Sequence, residues 1–151
     1  VKKLDWSKII HKPEEFDDPD LKGSYVYMSP RTILICHWLR KTTGWPMIFH
    51  NKYGLHGCVC MSRGHHTPNS YHNYDHPEGC SAVDFHFVTD TDPRIQAWHV
   101  IRSGFKGIGI YQNVWKWNNR TLRIGFHGDL RKHFQIWKLD PTINDYVYLL
   151  R

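Results

Sequence analysis

Between Asn69 and Phe87 the chain reads NSYHNYDHPEGCSAVDFHF, placing three histidines, two aspartates, a glutamate and a cysteine within nineteen residues. Its first half is rich in turn formers, Asn69, Ser70, Asn73, Asp75, Pro77 and Gly79, which favour a polar loop. Its second half, Ala82-Val83-Asp84-Phe85-His86-Phe87, alternates apolar and polar residues as a half-buried strand does. An imidazole-bearing loop that runs into a strand carrying a carboxylate can build a metal site. The loop supplies nitrogen ligands, and the strand fixes an oxygen. Asp84, bracketed by Val83 and Phe85, is either such a ligand or an aspartate on the solvent face of its strand. By alternation His86 shares the face of Asp84. His127, between Phe126 and Gly128 in a later apolar run, is either a third ligand or an ordinary strand histidine. Three protein ligands with a fourth position left for water is the pattern of catalytic zinc, which activates that water and polarises a carbonyl.

The flanking segments show what must position these groups. Residues 1–28 are irregular, broken by Pro13, Asp17-Asp18-Pro19-Asp20 and Gly23. Leu4, Trp6, Ile9, Ile10 and Phe16 are expected to pin this arm onto the body. Ser29-Pro30 reads as the start of a helix that Gly44 closes, with His37 packing on it. Strands are expected at 45–50, 57–62, 82–88, 107–111 and 122–130, with closing strands at 134–139 and 146–150. A second helix starts at Thr91-Asp92-Pro93 and ends at Gly104. Trp115–Asn119 makes a turn. Helices and strands do not alternate regularly, which predicts an α+β fold with a largely antiparallel sheet. The 151 residues fit a single domain, 1–151, with the arm packed on it.

Bulk composition narrows the partners less. Twenty Lys and Arg against fourteen Asp and Glu leave a formal charge of +6, which favours anionic partners: nucleic acid, a membrane surface or an acidic wall polymer. No nucleic-acid motif is present, and a metal-dependent nuclease is the weakest reading. No run of 18 apolar residues occurs, so membrane insertion is not expected. The N-terminal residues lack the apolar core of a signal peptide and an initiator Met. Twelve histidines bring metal affinity and pH sensitivity within reach. Aromatics reach 15 % and suit packing first, then sites for sugars or peptides. Cys58-x-Cys60 is too close for a disulfide between the two and lacks the C-x2-C spacing of a zinc ribbon. Buried thiols are therefore expected.

Asn69-Ser70-x-His72, then Gly79, then Ala82-x-Asp84, resembles the first signature, S-x-H-x-x-G-x-A-x-D, of peptidase family M15. These are the D-Ala-D-Ala carboxypeptidases and L-alanyl-D-glutamate endopeptidases, many phage endolysins among them. Leu39-Arg40-x4-Gly44-x-Pro46 before a strand resembles the family's entry to its site. Gly107-Ile108-Gly109-Ile110-Tyr111, followed by Phe126-His127-x-Asp129-Leu130-Arg131, resembles its ending, G-x-G-x-Y … H-x-D-x-R. The likeness covers about residues 30–131. It implies Zn²⁺ held by His72, Asp84 and His127. It also implies a small antiparallel sheet flanked by helices, the fold of the hedgehog signalling domain and the D-Ala-D-Ala peptidases, and hydrolysis of a peptide bond in bacterial peptidoglycan.

Two departures stand out. His72 and Asp84 are twelve residues apart where the family has seven, so an insertion near Asn73–Glu78 is implied. His76, in His76-x-x-Gly79, is the alternative first ligand. The family often carries a carboxylate three residues before the last histidine, and here that residue is Ile124. Asp129 is the nearest replacement as general base, or else a partner that orients His127. Glu78 and Asp75 are further alternatives. Arg63 stands where relatives carry an arginine that binds a carboxylate or an oxyanion, or it is a solvated loop residue. His65 and His66 lie close to it in sequence. Without a base, the chain would be a metal-binding module that keeps the fold and does not hydrolyse.

Overall fold

The structure, a computed structural model, describes residues 4–50, 58–61 and 66–150. Its strands are β1 (Met47–His50), β2 (Ala82–Phe87), β3 (Gly107–Tyr111), β4 (Lys116–Trp117), β5 (Arg120–Thr121), β6 (Gly125–Asp129), β7 (Gln135–Asp140) and β8 (Asp145–Leu150), and its helices are α1 (Pro30–Thr43) and α2 (Pro93–Ile101). Six strands form one sheet in the order β1-β2-β6-β3-β7-β8. Every pairing in it is antiparallel except β3 with β7. The α+β class and the mainly antiparallel sheet follow the sequence expectation.

Both helices start, and α1 ends, as their residues dictate, while α2 stops at Ile101, short of the expected Gly104. Pro30 opens α1, and Gly44 closes it in the left-handed region at φ 71°, a conformation that carries no Cβ penalty for glycine. Asp92 caps α2 by accepting the Arg94 N–H, with Pro93 at the first helical position. Strand alternation sorts the sheet into two faces. Val83, Phe85 and Phe87 point to the face that joins Ile33, Cys36 and Leu39 of α1 and Val100 of α2 in one core. Phe85, Phe105, Phe126 and Phe16 are fully buried there, and each contributes about 1.5–3 kcal/mol by leaving water. Asp84, His86, His127 and Asp129 project from the other face.

Three expectations need correction. Of the expected 57–62 strand, the described residues 58–61 contribute only an isolated bridge, Cys60 to Asn73, because Cys60 pairs with the histidine-bearing loop and not with the sheet; Gly57 and Ser62 lie outside the described residues. The 122–130 strand is shorter, starting at Gly125. Before it, Asn118 and Asn119 take φ of 49° and 61° and turn β4 into β5 as a tight two-residue hairpin, the geometry such asparagines favour. Ile10 does not pin the arm with its side chain, which is 44 % exposed. Its N–H instead donates to His37 Nδ1 at 3.1 Å, while Leu4, Trp6 and Ile9 pack partly buried against the core.

The arm also shapes the site from a distance. Asp17 accepts the N–H groups of Gly23 and Tyr25, at 2.9 and 2.8 Å, which folds residues 17–25 into a knot. From that knot Asp18 accepts the Met61 N–H at 2.9 Å. Cys60 then pairs with the next segment: its N–H donates to the His72 carbonyl at 2.9 Å and its carbonyl accepts from Tyr74 at 3.3 Å. The loop closes where Ser81 and Ala82 both donate to the Tyr71 carbonyl. Gly79 turns the chain at φ 74°, where a Cβ would lie 2.8 Å from the Tyr27 carbonyl oxygen.

Candidate metal centre

Strand pairing brings two of the expected ligands face to face. β2 and β6 are in register with Asp84 opposite His127 and Ala82 opposite Asp129, so the two side chains rise from adjacent positions on one face. His127 Nδ1 lies 2.7 Å from Asp84 Oδ1. The loop delivers the third group: His72 Nε2 lies 3.3 Å from His127 Nδ1 and 3.5 Å from Asp84 Oδ2. One ligand atom from each of His72, Asp84 and His127 falls within 4.8 Å of the others. His76 belongs to no such group among the described residues. Its ring lies 4.7 Å from that of Tyr71, and its Nδ1 accepts the Glu78 N–H.

The nitrogens are sorted by what stands behind them. His72 Nδ1 faces the Cys58 carbonyl oxygen at 3.4 Å. A carbonyl only accepts, so that nitrogen carries the proton and Nε2 presents its lone pair to the cluster. His127 Nε2 meets Asp129 Oδ2 at 2.9 Å, leaving Nδ1 for the cluster. A ligating histidine backed by a carboxylate or carbonyl is the usual support of a metal site. The group can therefore hold a metal ion: its three donors, two imidazoles and a carboxylate, converge within 4.8 Å.

Asp129 is fully buried and answers the question of its placement. Besides His127, it accepts from Arg131 Nε at 2.9 Å and Nη2 at 2.6 Å, and from the Arg131 N–H at 3.0 Å. Its carboxylate sits behind the far nitrogen of His127, in the orienting position. Gly107 leaves the room: a Cβ there would stand 2.2 Å from both Asp129 Oδ1 and Arg131 Nε. Arg63 and His65 lie outside the described residues. His66 is described, with its ring stacked on His72 at 4.9 Å. Ile124 is buried.

Charge is concentrated here. Burial disfavours the Asp84 carboxylate, but His72 and His127 outweigh it and hold the group well below the usual carboxylate range. Asp129 is held low in the same way against its burial, by His127 and Arg131. Burial acts to lower His127, yet its bonds to Asp129 and Asp84 dominate and raise it to about 9. Without a metal, His127 is thus an imidazolium clamped between two carboxylates.

The centre lies in a cleft of about 1000 Å³. Tyr111 and Trp115, stacked 4.7 Å apart, line one part of it, and Trp137, Tyr146 and Tyr148 another. Gly125 and Gly109 make way for these rings, since a Cβ would meet Trp115 at 2.3 Å and Trp137 at 2.8 Å. Sequence reading did not single out His50. It pairs with Asp84 across β1 and β2, lines the cleft and sets Nε2 2.5 Å from His86 Nδ1. Burial lowers both rings, His86 to about 4, and His86 Nε2 has no hydrogen-bond partner among the described residues. Its signal was the register of β1 on β2, which a histidine ending a short strand does not disclose. Cys36 and Cys80 are buried thiols, and burial pushes Cys80 up to about 12. Comparison of the chain with protein-family models, with curated proteins and with solved structures gave no match.

Proposed function

We propose that the protein is a zinc-dependent peptidase of bacterial peptidoglycan, with the hedgehog and D-Ala-D-Ala-peptidase type of fold. The observation that carries the reading is the convergence of His72, Asp84 and His127 on the residues that the likeness to peptidase family M15 names. Two neutral imidazoles and one carboxylate suit zinc and leave an open coordination position. A zinc ion bound there supplies Lewis acidity that activates water and polarises a carbonyl.

The chain's own residues do the rest. Asp129 and Arg131 fix the His127 ring, and the Cys58 carbonyl fixes His72; His72 presents its Nε2 lone pair, and His127 Nδ1 would do so on losing its proton. The aromatic walls of Tyr111, Trp115 and Trp137 bind the apolar parts of a short peptide and shed water from the reacting bond. The positive charge of the molecule suits an anionic wall polymer.

A second reading is favoured by one specific observation. Among the described residues, the carboxylates lining the cleft are Asp84 and Asp129, and both are engaged as described. A metal-binding module of the same fold, without hydrolysis, would have that composition. His50 and His66 line the same cleft, and imidazole is the commonest general base, which keeps hydrolysis the leading reading.

Digestion of purified peptidoglycan followed by mass spectrometry of the muropeptides separates the two. The wild type is expected to release cleaved peptides, and His127→Ala to release none. Zinc bound at one ion per chain with no peptide released by the wild type would establish the module instead.

A further inference from the structure

The sheet has a second outward surface, formed by the helices that cover its other face. Neither helix contains a carboxylate: α1 reads PRTILICHWLRKTT and α2 reads PRIQAWHVI. The buried positions of α1, Ile33, Cys36 and Leu39 among them, turn to the core. Its exposed stripe runs Arg31, Leu34, Trp38, Lys41, spaced three or four residues apart and so aligned on one side. The exposed stripe of α2 is similar: Arg94 and Ile95, Trp98, then Ile101 with Arg102 just past the end.

Two tryptophans more than half exposed, Trp38 at 56 % and Trp98 at 54 %, are not what a solvated helix face needs. Each indole carries a cation over its ring, Lys41 Nζ at 5.0 Å and Arg102 at 4.9 Å. Indole beside Lys or Arg is the combination that settles at the headgroup level of a bilayer, with the ring at the acyl boundary and the cation on lipid phosphate. Among the described residues no helix is long and apolar enough to cross a membrane.

We infer that the exposed faces of α1 and α2 form a docking surface for an anionic lipid bilayer. Charge complementarity selects this occupant. Cations and large apolar side chains alternate along both helices; the capping Asp92 pairs with Arg94, which leaves Arg31, Lys41 and Arg102 to supply the attraction, whereas a face for a second copy of this basic chain would set like charges against each other. The inference does not depend on what the cleft hydrolyses. It does fix how a docked molecule stands, because the cleft opens on the opposite face of the sheet and points away from the lipid.

The test is co-sedimentation of the full chain with phosphatidylcholine vesicles and with vesicles in which phosphatidylglycerol replaces part of that lipid. Binding is expected only to the second kind and weakens as salt rises. Arg31→Gln with Lys41→Gln should weaken it roughly 25-fold, about fivefold for each cation removed. Trp38→Ser with Trp98→Ser should abolish the blue shift of tryptophan emission on adding vesicles. Lys22→Gln with Lys132→Gln, matched in charge and outside the helices, should leave binding unchanged, and circular dichroism of every variant monitors its fold. Failure to bind anionic vesicles overturns the inference, as does equal weakening by the matched pair. Self-association of the wild type that the tryptophan substitutions relieve also overturns it, and assigns the surface to a second copy.

Discussion

At the scale of single residues, the centre has two kinds of member. His72, Asp84 and His127 meet one another, while Asp129 and the Cys58 carbonyl meet only the backs of the imidazoles. Substituting a member of the first kind removes a donor. Asp84→Asn or His127→Ala should take bound metal from one ion per chain to none, as measured by elemental analysis after dialysis. Asp129→Asn keeps the shape but weakens the support of His127, and should cost roughly 10- to 100-fold in metal affinity. The proton on His127 gives a sharper test. In metal-free protein it is held up to about 9, above the value near 6.5 of an unfolded chain. Its contribution to stability is full below about 6.5 and is lost as pH rises through about 9. A metal ion must displace that proton, so between about 6.5 and 9 neither the loaded native state nor the unfolded chain carries it, and His127 gives the loaded protein no slope, while the metal-free protein loses at most about 1.4 kcal/mol per pH unit. Thermal unfolding should therefore show stability falling between about pH 6.5 and 9 in the chelated sample and level in the loaded one. Parallel slopes would mean that His127 does not bind the ion.

At the scale of elements, the strands that carry Asp84 and His127 were readable from alternation, and both helices from their Pro, Asp and Gly boundaries. What alternation cannot give is register. Only the pairing of β2 with β6 puts Asp84 opposite His127, and only that of β1 with β2 adds His50. The choice between His72 and His76 was hidden for another reason. The loop is ordered by hydrogen bonds to residues 60–61, and those residues are held by Asp18, more than fifty positions before His72. Alanine at Asp18 leaves the half-buried N–H of Met61 without its acceptor, which should cost about 1 kcal/mol in chemical denaturation and weaken metal binding although no ligand is touched. Gly107→Ala acts from the other side of the centre. Its methyl would collide with Asp129 and Arg131, and a loss of about 1–3 kcal/mol is expected from overpacking, together with weaker metal binding. Loss of stability with unchanged metal affinity would show that β3 does not support the centre.

At the scale of the whole molecule, one sheet separates two surfaces of different chemistry. Alternation sends Phe85 and Phe126 into the helical layer and Asp84 and His127 into the cleft, so a single pair of strands builds both the core and the centre. The class of fold was legible because this division is written at every second residue. The parallel join of β3 to β7 was not, since the sequence marks the two strands but not their order in the sheet. The cleft's third ligand stands outside the strand pair, on the loop that precedes β2. Asp84 and His127 stand on paired strands in the interior of the sheet and are preset as soon as the core forms. His72 arrives through a relay from Asp18 to Met61 and from Cys60 to the loop. Speed of capture should then be set by the preset pair and residence time by the relay. A chelator chase in stopped flow should find metal leaving the Asp18→Ala protein faster than the wild type while the rate of uptake is unchanged, so the N-terminal arm acts as the latch that decides how long an ion stays.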